Sequence, residues 1–233
     1  MSSVNQIQTT GIILSRTDYG EADRIITVLT PNQGKLRLMA KGVRKSNSKL
    51  AGGIELFSVS QLSYLKGRGE IGTLISTRLV SYYGNIVKNI ERVQLGYSLI
   101  KMLNKTTEDQ PEEAYFELLQ KGFEALDDDS INNVLINLWF QSQLLSLDGH
   151  MPNLITDSSG NDLNKDNTYE FDIDAVAFMI KPDGHFTADH IKCLRLLFGG
   201  NSPTVLSRVE GMSVLLDDLE PLLRLLTSNY LRL

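Results

Sequence analysis

The amino-acid sequence predicts an α+β protein: an N-terminal five-stranded barrel over residues 1–82, then a helical domain over residues 83–233 with a loop-rich insertion near 151–184. Three observations predict it. Five short runs rich in Ile, Val, Leu, Thr and Tyr occupy the N-terminal third. A three- and four-residue apolar spacing takes over near Asn85. The charge changes sign between the two regions.

The five runs are Thr9–Ser15, Arg24–Thr30, Lys35–Ala40, Ile54–Leu65 and Thr73–Val80. In the third, Leu36, Leu38 and Ala40 fall on one side and Lys35, Arg37 and Met39 on the other, the period of a half-buried strand. Pro31-Asn32-Gln33-Gly34 joins the second run to the third. Proline presets φ for a turn and glycine supplies the positive φ that closes it, so a hairpin connection is expected. Gly67 and Gly69 mark a short loop between the last two runs. Five short strands cannot bury both faces of a flat sheet. Closing them buries one face and removes exposed edges, and the OB-fold is the common five-stranded solution.

From Asn85 onward, Ile86, Ile90, Val93, Tyr97 and Ile100 recur on one helical face. A second helix is expected to start at Pro111, where a missing N–H costs little, with Glu112 and Glu113 complementing its dipole and Phe116, Leu119 and Phe123 as its stripe. Asp127 to Asp129 end it. Ser130 is a candidate cap for a third helix running through Leu147 to Gly149, which holds Leu135, Leu138, Trp139 and Leu145. Residues 151–184 are rich in Asn, Asp, Ser, Gly and Pro, with one strand expected at Asp174–Ile180. Helices resume at Ala188–Phe198 and near Asp217–Leu226, with Pro221 either in the first turn or kinking the helix.

Composition narrows the function classes. No apolar run approaches the roughly 18 residues of a membrane span, and Met1 to Thr10 lacks a signal-peptide core, so a cytoplasmic protein without membrane attachment is expected. Cys193 is the only cysteine, which excludes an intramolecular disulfide and a cysteine cluster for zinc. The net charge is −5, yet through Val80 eleven Lys and Arg face five Asp and Glu, a net of +6; the remainder carries −11. A basic module joined to an acidic one points to a polyanion partner for the first part.

The strongest local feature is Lys41-Gly42-Val43-Arg44-Lys45-Ser46-Asn47-Ser48-Lys49, which follows the third run. It reads as a flexible loop whose cations, hydroxyls and N–H groups can follow a phosphate backbone. A solvated surface loop is the competing reading, and the nearby strand bases Lys35 and Arg37 favour a continuous basic groove. Single-strand binding commonly uses aromatic platforms. Tyr19, Phe57 and Tyr64 are the candidates, with Phe57 expected in the core and Tyr19, beside Gly20, the exposed one. Neither a Gly-x-x-x-x-Gly-Lys-Ser/Thr loop nor a Gly-x-Ser-x-Gly elbow occurs, so the sequence calls for no cofactor and no catalytic residues. His190 and Cys193 lie one turn apart on an expected helix, but two ligands do not make a metal site. Asp127-Asp128-Asp129 reads as a solvated break with a cap rather than a Mg²⁺ site.

Tyr19-Gly20-Glu21-Ala22-Asp23-Arg24, Leu29-Thr30-Pro31, Gly34-Lys35-Leu36, Ala40-Lys41-Gly42-Val43-Arg44-Lys45, Phe57 and Gly67-Arg68-Gly69-Glu70 together resemble, in order and spacing, the RecO family of recombination mediators. The resemblance implies an N-terminal OB-fold and a helical C-terminal domain. It also implies binding of single- and double-stranded DNA, annealing of complementary strands, and loading of a recombinase onto single strands coated by single-strand binding protein. The implied partners are RecR and the acidic C-terminal tail of single-strand binding protein. The candidate DNA-binding set is Arg16, Arg24, Lys35, Arg37, Lys41, Arg44, Lys45, Lys49 and Arg68. Many members carry a four-cysteine zinc site. Here Thr156-Asp157-Ser158-Ser159-Gly160 stands at its first Cys-x-x-Cys-Gly and the second pair is absent, so no metal is expected. An RNA-binding OB module with a helical scaffold is the alternative that the same basic loop would serve.

Overall fold

The computed structural model describes residues 6–67, 69–107 and 113–231. They fall into two compact units, one ending at Asp127 and the other starting at Asp128. The last strand of the first unit does end at Tyr82, but that unit continues beyond it through two helices.

Five strands open the first unit: β1 (Gln6–Tyr19), β2 (Asp23–Thr30), β3 (Gly34–Ala40), β4 (Ser58–Leu65) and β5 (Ile71–Tyr82). The sheet closes in the order β1-β2-β3-β5-β4, with β4 pairing back onto β1. All pairs are antiparallel except β3 with β5. Gly34, with φ of 64°, closes the β2–β3 turn as its sequence requires. Inward-facing Ile13, Ile26, Val28, Leu38, Leu62, Tyr64 and Leu74 fill the interior. The Tyr64 hydroxyl donates to the Gln33 side chain in the hairpin, so this aromatic belongs to the core.

The run expected to be extended from Ile54 becomes a strand only at Ser58. Phe57 stands in the left-handed region, with φ of 56°, and turns its ring away from the strand direction. The ring is 2% exposed and packs edge-on against Phe123 and Tyr97, with centroids 5.3 and 5.6 Å away. Helices α1 (Ile90–Thr106) and α2 (Glu113–Asp127) supply those two rings.

The buried face of α1 matches the apolar stripe read from the sequence only in part. Ile86 and Ile100 are buried, but Ile90 and Tyr97 are exposed, and Arg92, Gly96, Leu99 and Leu103 are buried instead. Gly96 admits the edge of Phe57, since a Cβ there would lie 2.6 Å from the ring. The Arg92 guanidinium donates to the Leu126 carbonyl at 2.6 Å, satisfying an acceptor at the end of α2. Pro111 and Glu112, expected to start α2, lie outside the described residues.

The second unit is built on α3 (Asn133–Leu147), α4 (Ala188–Phe198), the short α5 (Pro203–Leu206) and α6 (Met212–Tyr230). Asn132, not Ser130, caps α3 by accepting from the Val134 N–H. The insertion holds a two-stranded hairpin, β6 (Tyr169–Asp172) with β7 (Ala177–Ile180). Val176, at φ of 50°, ends the turn, so the single strand expected from Asp174 starts at Ala177. Helix α6 extends further in both directions than predicted and keeps Pro221 inside it. Among the described residues no helix is long and apolar enough to cross a membrane.

Candidate nucleic-acid interface

The basic segment after β3 is a folded chain of turns rather than a flexible loop. Gly42, at φ of 65°, donates its N–H to Asp23 Oδ1 at 2.7 Å, and the Arg44 N–H donates to the Ala22 carbonyl at 2.9 Å. Both acceptors belong to the β1–β2 connection and the start of β2. Lys45 N–H to Gly42 O and Ser48 N–H to Lys45 O continue the turns. Val43, 3% exposed, enters the barrel core with Ile54. One apolar side chain and two bonds from backbone N–H groups, one to a carboxylate and one to a carbonyl, therefore pin a segment whose cations face outward. Sequence reasoning missed Val43 and Asp23 in these roles; the apolar residue in the middle of a polar run was the available signal.

The candidate cations sort into three groups. Lys41, Lys45 and Lys49 are exposed on the segment, and Arg37 is exposed on the outer face of β3, registered against Thr27 and Ile71. None of these four has a carboxylate within ion-pair distance among the described residues. Arg16, Arg24 and Arg44 are already engaged. Arg16 pairs with Glu55 at 2.6 Å, Arg24 with Asp18 at 2.7 Å and Arg44 with Asp18 at 3.5 Å. The Arg24 hydrogen bond holds the Asp18 carboxyl below its ordinary range, and the positive charge of Arg44 adds to the effect. Lys35 stands apart from both groups, since its ammonium donates to the Asn104 and Thr107 carbonyls at 3.3 and 2.9 Å, where the C-terminal end of α1 favours a cation. Arg68 lies outside the described residues.

Beside Arg37, the register Thr17–Ile25–Met39–Thr73 runs across four strands on the outer face. Ile25 and Met39 there are only half-buried. Tyr19, 56% exposed, ends β1 registered against Asp23, the residue whose carboxylate holds Gly42. Exposed cations thus border a half-apolar strip with one exposed ring.

The region matching the family described as Recombination protein O N terminal is residues 1–83, which takes in all five strands. A protein named DNA repair protein RecO from Dehalococcoides mccartyi is 32% identical over 155 residues, covering 66% of this chain and 60% of the relative. One of the same name from Halalkalibacterium halodurans is 29% identical over 196 residues, covering 81% and 76%. Residues 1–83 are thus a RecO N-terminal domain. The chain spans 60% of the length of the Dehalococcoides relatives it matches.

Where the family resemblance places the first zinc knuckle, Asp157 organises the turn. It is 5% exposed and its Oδ1 accepts from the Ser159 and Asn161 N–H groups at 2.8 and 2.9 Å. The Asn161 backbone bond is the main reason its carboxyl sits below the ordinary range. Elsewhere, Asp127 accepts from the Asn85 N–H and Asp128 from Ser130, so both carboxylates serve as turn and helix-end acceptors. His190 Nδ1 accepts from the Thr187 N–H, which directs Nε2–H at Asp218. Burial pushes the Cys193 thiol up to about 11. Among the described residues no three or more His, Cys, Asp or Glu are grouped to hold a metal.

Proposed function

We propose that this chain is a DNA repair and recombination mediator whose barrel binds single- and double-stranded DNA and anneals complementary strands. The observation that carries the reading is the pinned segment after β3, which presents Lys41, Lys45 and Lys49 without opposing carboxylates among the described residues. We read the barrel as an OB-fold, on its strand order and its parallel β3–β5 pair. Phosphates follow the lysines and Arg37, while unstacked bases lie on Ile25, Met39 and Tyr19. Two strands repel through their phosphates; neutralising both lets them approach, and base pairing supplies the specificity. No covalent bond changes.

The names of the relatives support a role in DNA repair. From the family resemblance we extend it to loading of the recombinase onto coated single strands, with RecR and the acidic tail of single-strand binding protein as partners. Lys101 and Lys105, exposed on one face of α1, offer local attraction for that tail. The test is a fluorescence annealing assay with complementary oligonucleotides, run as DNA and as RNA of the same sequence. Faster annealing and tighter binding for DNA support the reading. A clear preference for RNA moves the assignment to an RNA-binding module, and no acceleration of either removes it.

A further inference from the structure

The opposite side of the barrel carries a second surface that none of the candidate residues touches. Strands β1, β4 and β5 lie side by side, with β4 in the middle. Their register sets two rows across the outer face. One is Thr10–Gln61–Arg78 and the other Gln8–Ser63–Ser76. Neighbouring strands stand about 4.8 Å apart and the two rows about 6.7 Å apart along the strand. The six side chains line an open cleft of about 360 Å³.

The chemistry of this cleft is narrow. Five of the six groups are neutral amides or hydroxyls, and the sixth is a guanidinium. Arg78 is exposed and has no ion-pair or hydrogen-bond partner among the described residues. Neither β4 nor β5 contains a single Asp or Glu, in a chain whose net charge is −5. A divalent cation would find no carboxylate there. An added peptide strand would find no free backbone, because β4 is paired on both edges. An apolar ligand would desolvate polar groups without replacing their hydrogen bonds. What the cleft suits is an anionic ligand rich in acceptors and extended over more than one strand. Its volume also exceeds what one phosphate ion fills.

The strand that carries Arg78 also meets the basic segment. Thr77, next to Arg78 in β5, donates to the Leu50 carbonyl at 3.3 Å, and its side chain fills the space against Gly53. The stem of the lysine-bearing segment thus rests on the strand that carries Arg78, and β5 is shared by both surfaces.

We propose that the outer face of β1, β4 and β5 is a second nucleic-acid site that binds the sugar–phosphate backbone through Arg78, Gln61 and the flanking hydroxyls, so that one barrel holds two strands at once. The proposal rests on the nucleic-acid reading above and deepens it, since annealing needs two strands held together with both sets of phosphates neutralised.

The test counts strands. A ten-residue oligothymidylate is titrated into the full chain and the complexes are counted by native mass spectrometry. The double variant Arg78→Ala with Gln61→Glu is compared with the triple variant Lys41→Ala, Lys45→Ala, Lys49→Ala; all five are exposed positions, and circular dichroism checks that each variant is folded. The intact chain is expected to bind two oligonucleotides, each variant one, and the combined variant none. Loss of one phosphate contact at about 0.1 M salt weakens binding about fivefold, and the Arg78 and Gln61 variant should anneal more slowly by at least that factor. Two bound strands on the double variant with an unchanged annealing rate, or one strand on the intact chain, would overturn the second site while leaving the first intact. No binding by the intact chain removes both. Thymidine monophosphate at equal phosphate concentration should not empty the cleft; if it does, the site takes mononucleotides and not strands.

Discussion

Gly96 and Phe57 form one unit of packing although 39 residues separate them in the chain. Gly96→Ala would gain about 1 kcal/mol in helix propensity, but the new methyl meets a ring edge at 2.6 Å in a closed interior. Overpacking of this kind costs about 1–3 kcal/mol, so we expect a net loss of stability in urea denaturation. Trimming the ring with Phe57→Leu in the same chain should give a double variant less unstable than the sum of the two single losses. Asp157 provides a second test at the same scale. Its carboxyl is lowered in the folded chain, chiefly by the Asn161 N–H. Its stabilisation is therefore complete above the unfolded value of about 3.9 and lost as pH falls through the folded value. Asp157→Asn should be less stable than the natural chain at neutral pH, with the gap closing below about pH 4. A gap that stays constant down to pH 2.5 would mean the charge on Asp157 contributes nothing.

At the scale of elements, the segment after β3 shows what sequence can convey and where it fails. The strands, the β2–β3 hairpin, α3 and α4 were legible, because their apolar periods and turn residues act locally. The extent of β4, half of the buried face of α1 and the strand β6 were not. Phe57 and Val176 take left-handed conformations that no local rule assigns to Phe or Val, and Gly96 and Arg92 are buried by partners from distant elements. The same limit applies to the candidate site. Composition identified the cations, but only the tertiary pairing separates Lys41, Lys45, Lys49 and Arg37 from Arg16, Arg24 and Arg44, which already have carboxylates. Val43 is the element's anchor. Val43→Ala should cost about 1–3 kcal/mol and weaken strand binding by loosening the segment. With the lysines still on their phosphates, the salt dependence should keep its slope; a flatter slope would mean that phosphate contacts are lost with the anchor.

At the scale of the whole molecule, we expect the compact unit, rather than the last strand, to define what folds. A fragment of residues 1–127 retains α1 and α2 around Phe57 and should unfold cooperatively, whereas 1–82 leaves that ring without Phe123 and Tyr97 and should not. Near-ultraviolet circular dichroism distinguishes the two. The two units also differ in charge: residues 1–127 carry 16 Lys and Arg against 13 Asp and Glu, while residues 128–233 carry 7 against 15. A strand of DNA is therefore attracted to the first unit and repelled by the second at long range. The most direct measurement is the salt dependence of single-strand affinity for the natural chain and for Lys41→Ala, Lys45→Ala, Lys49→Ala. Each phosphate contact contributes about −0.7 to the slope of log affinity against log salt. Removing three should flatten the slope by about 2 and lower affinity about a hundredfold near 0.1 M salt. An unchanged slope in a folded variant would show that the pinned segment does not hold the nucleic acid.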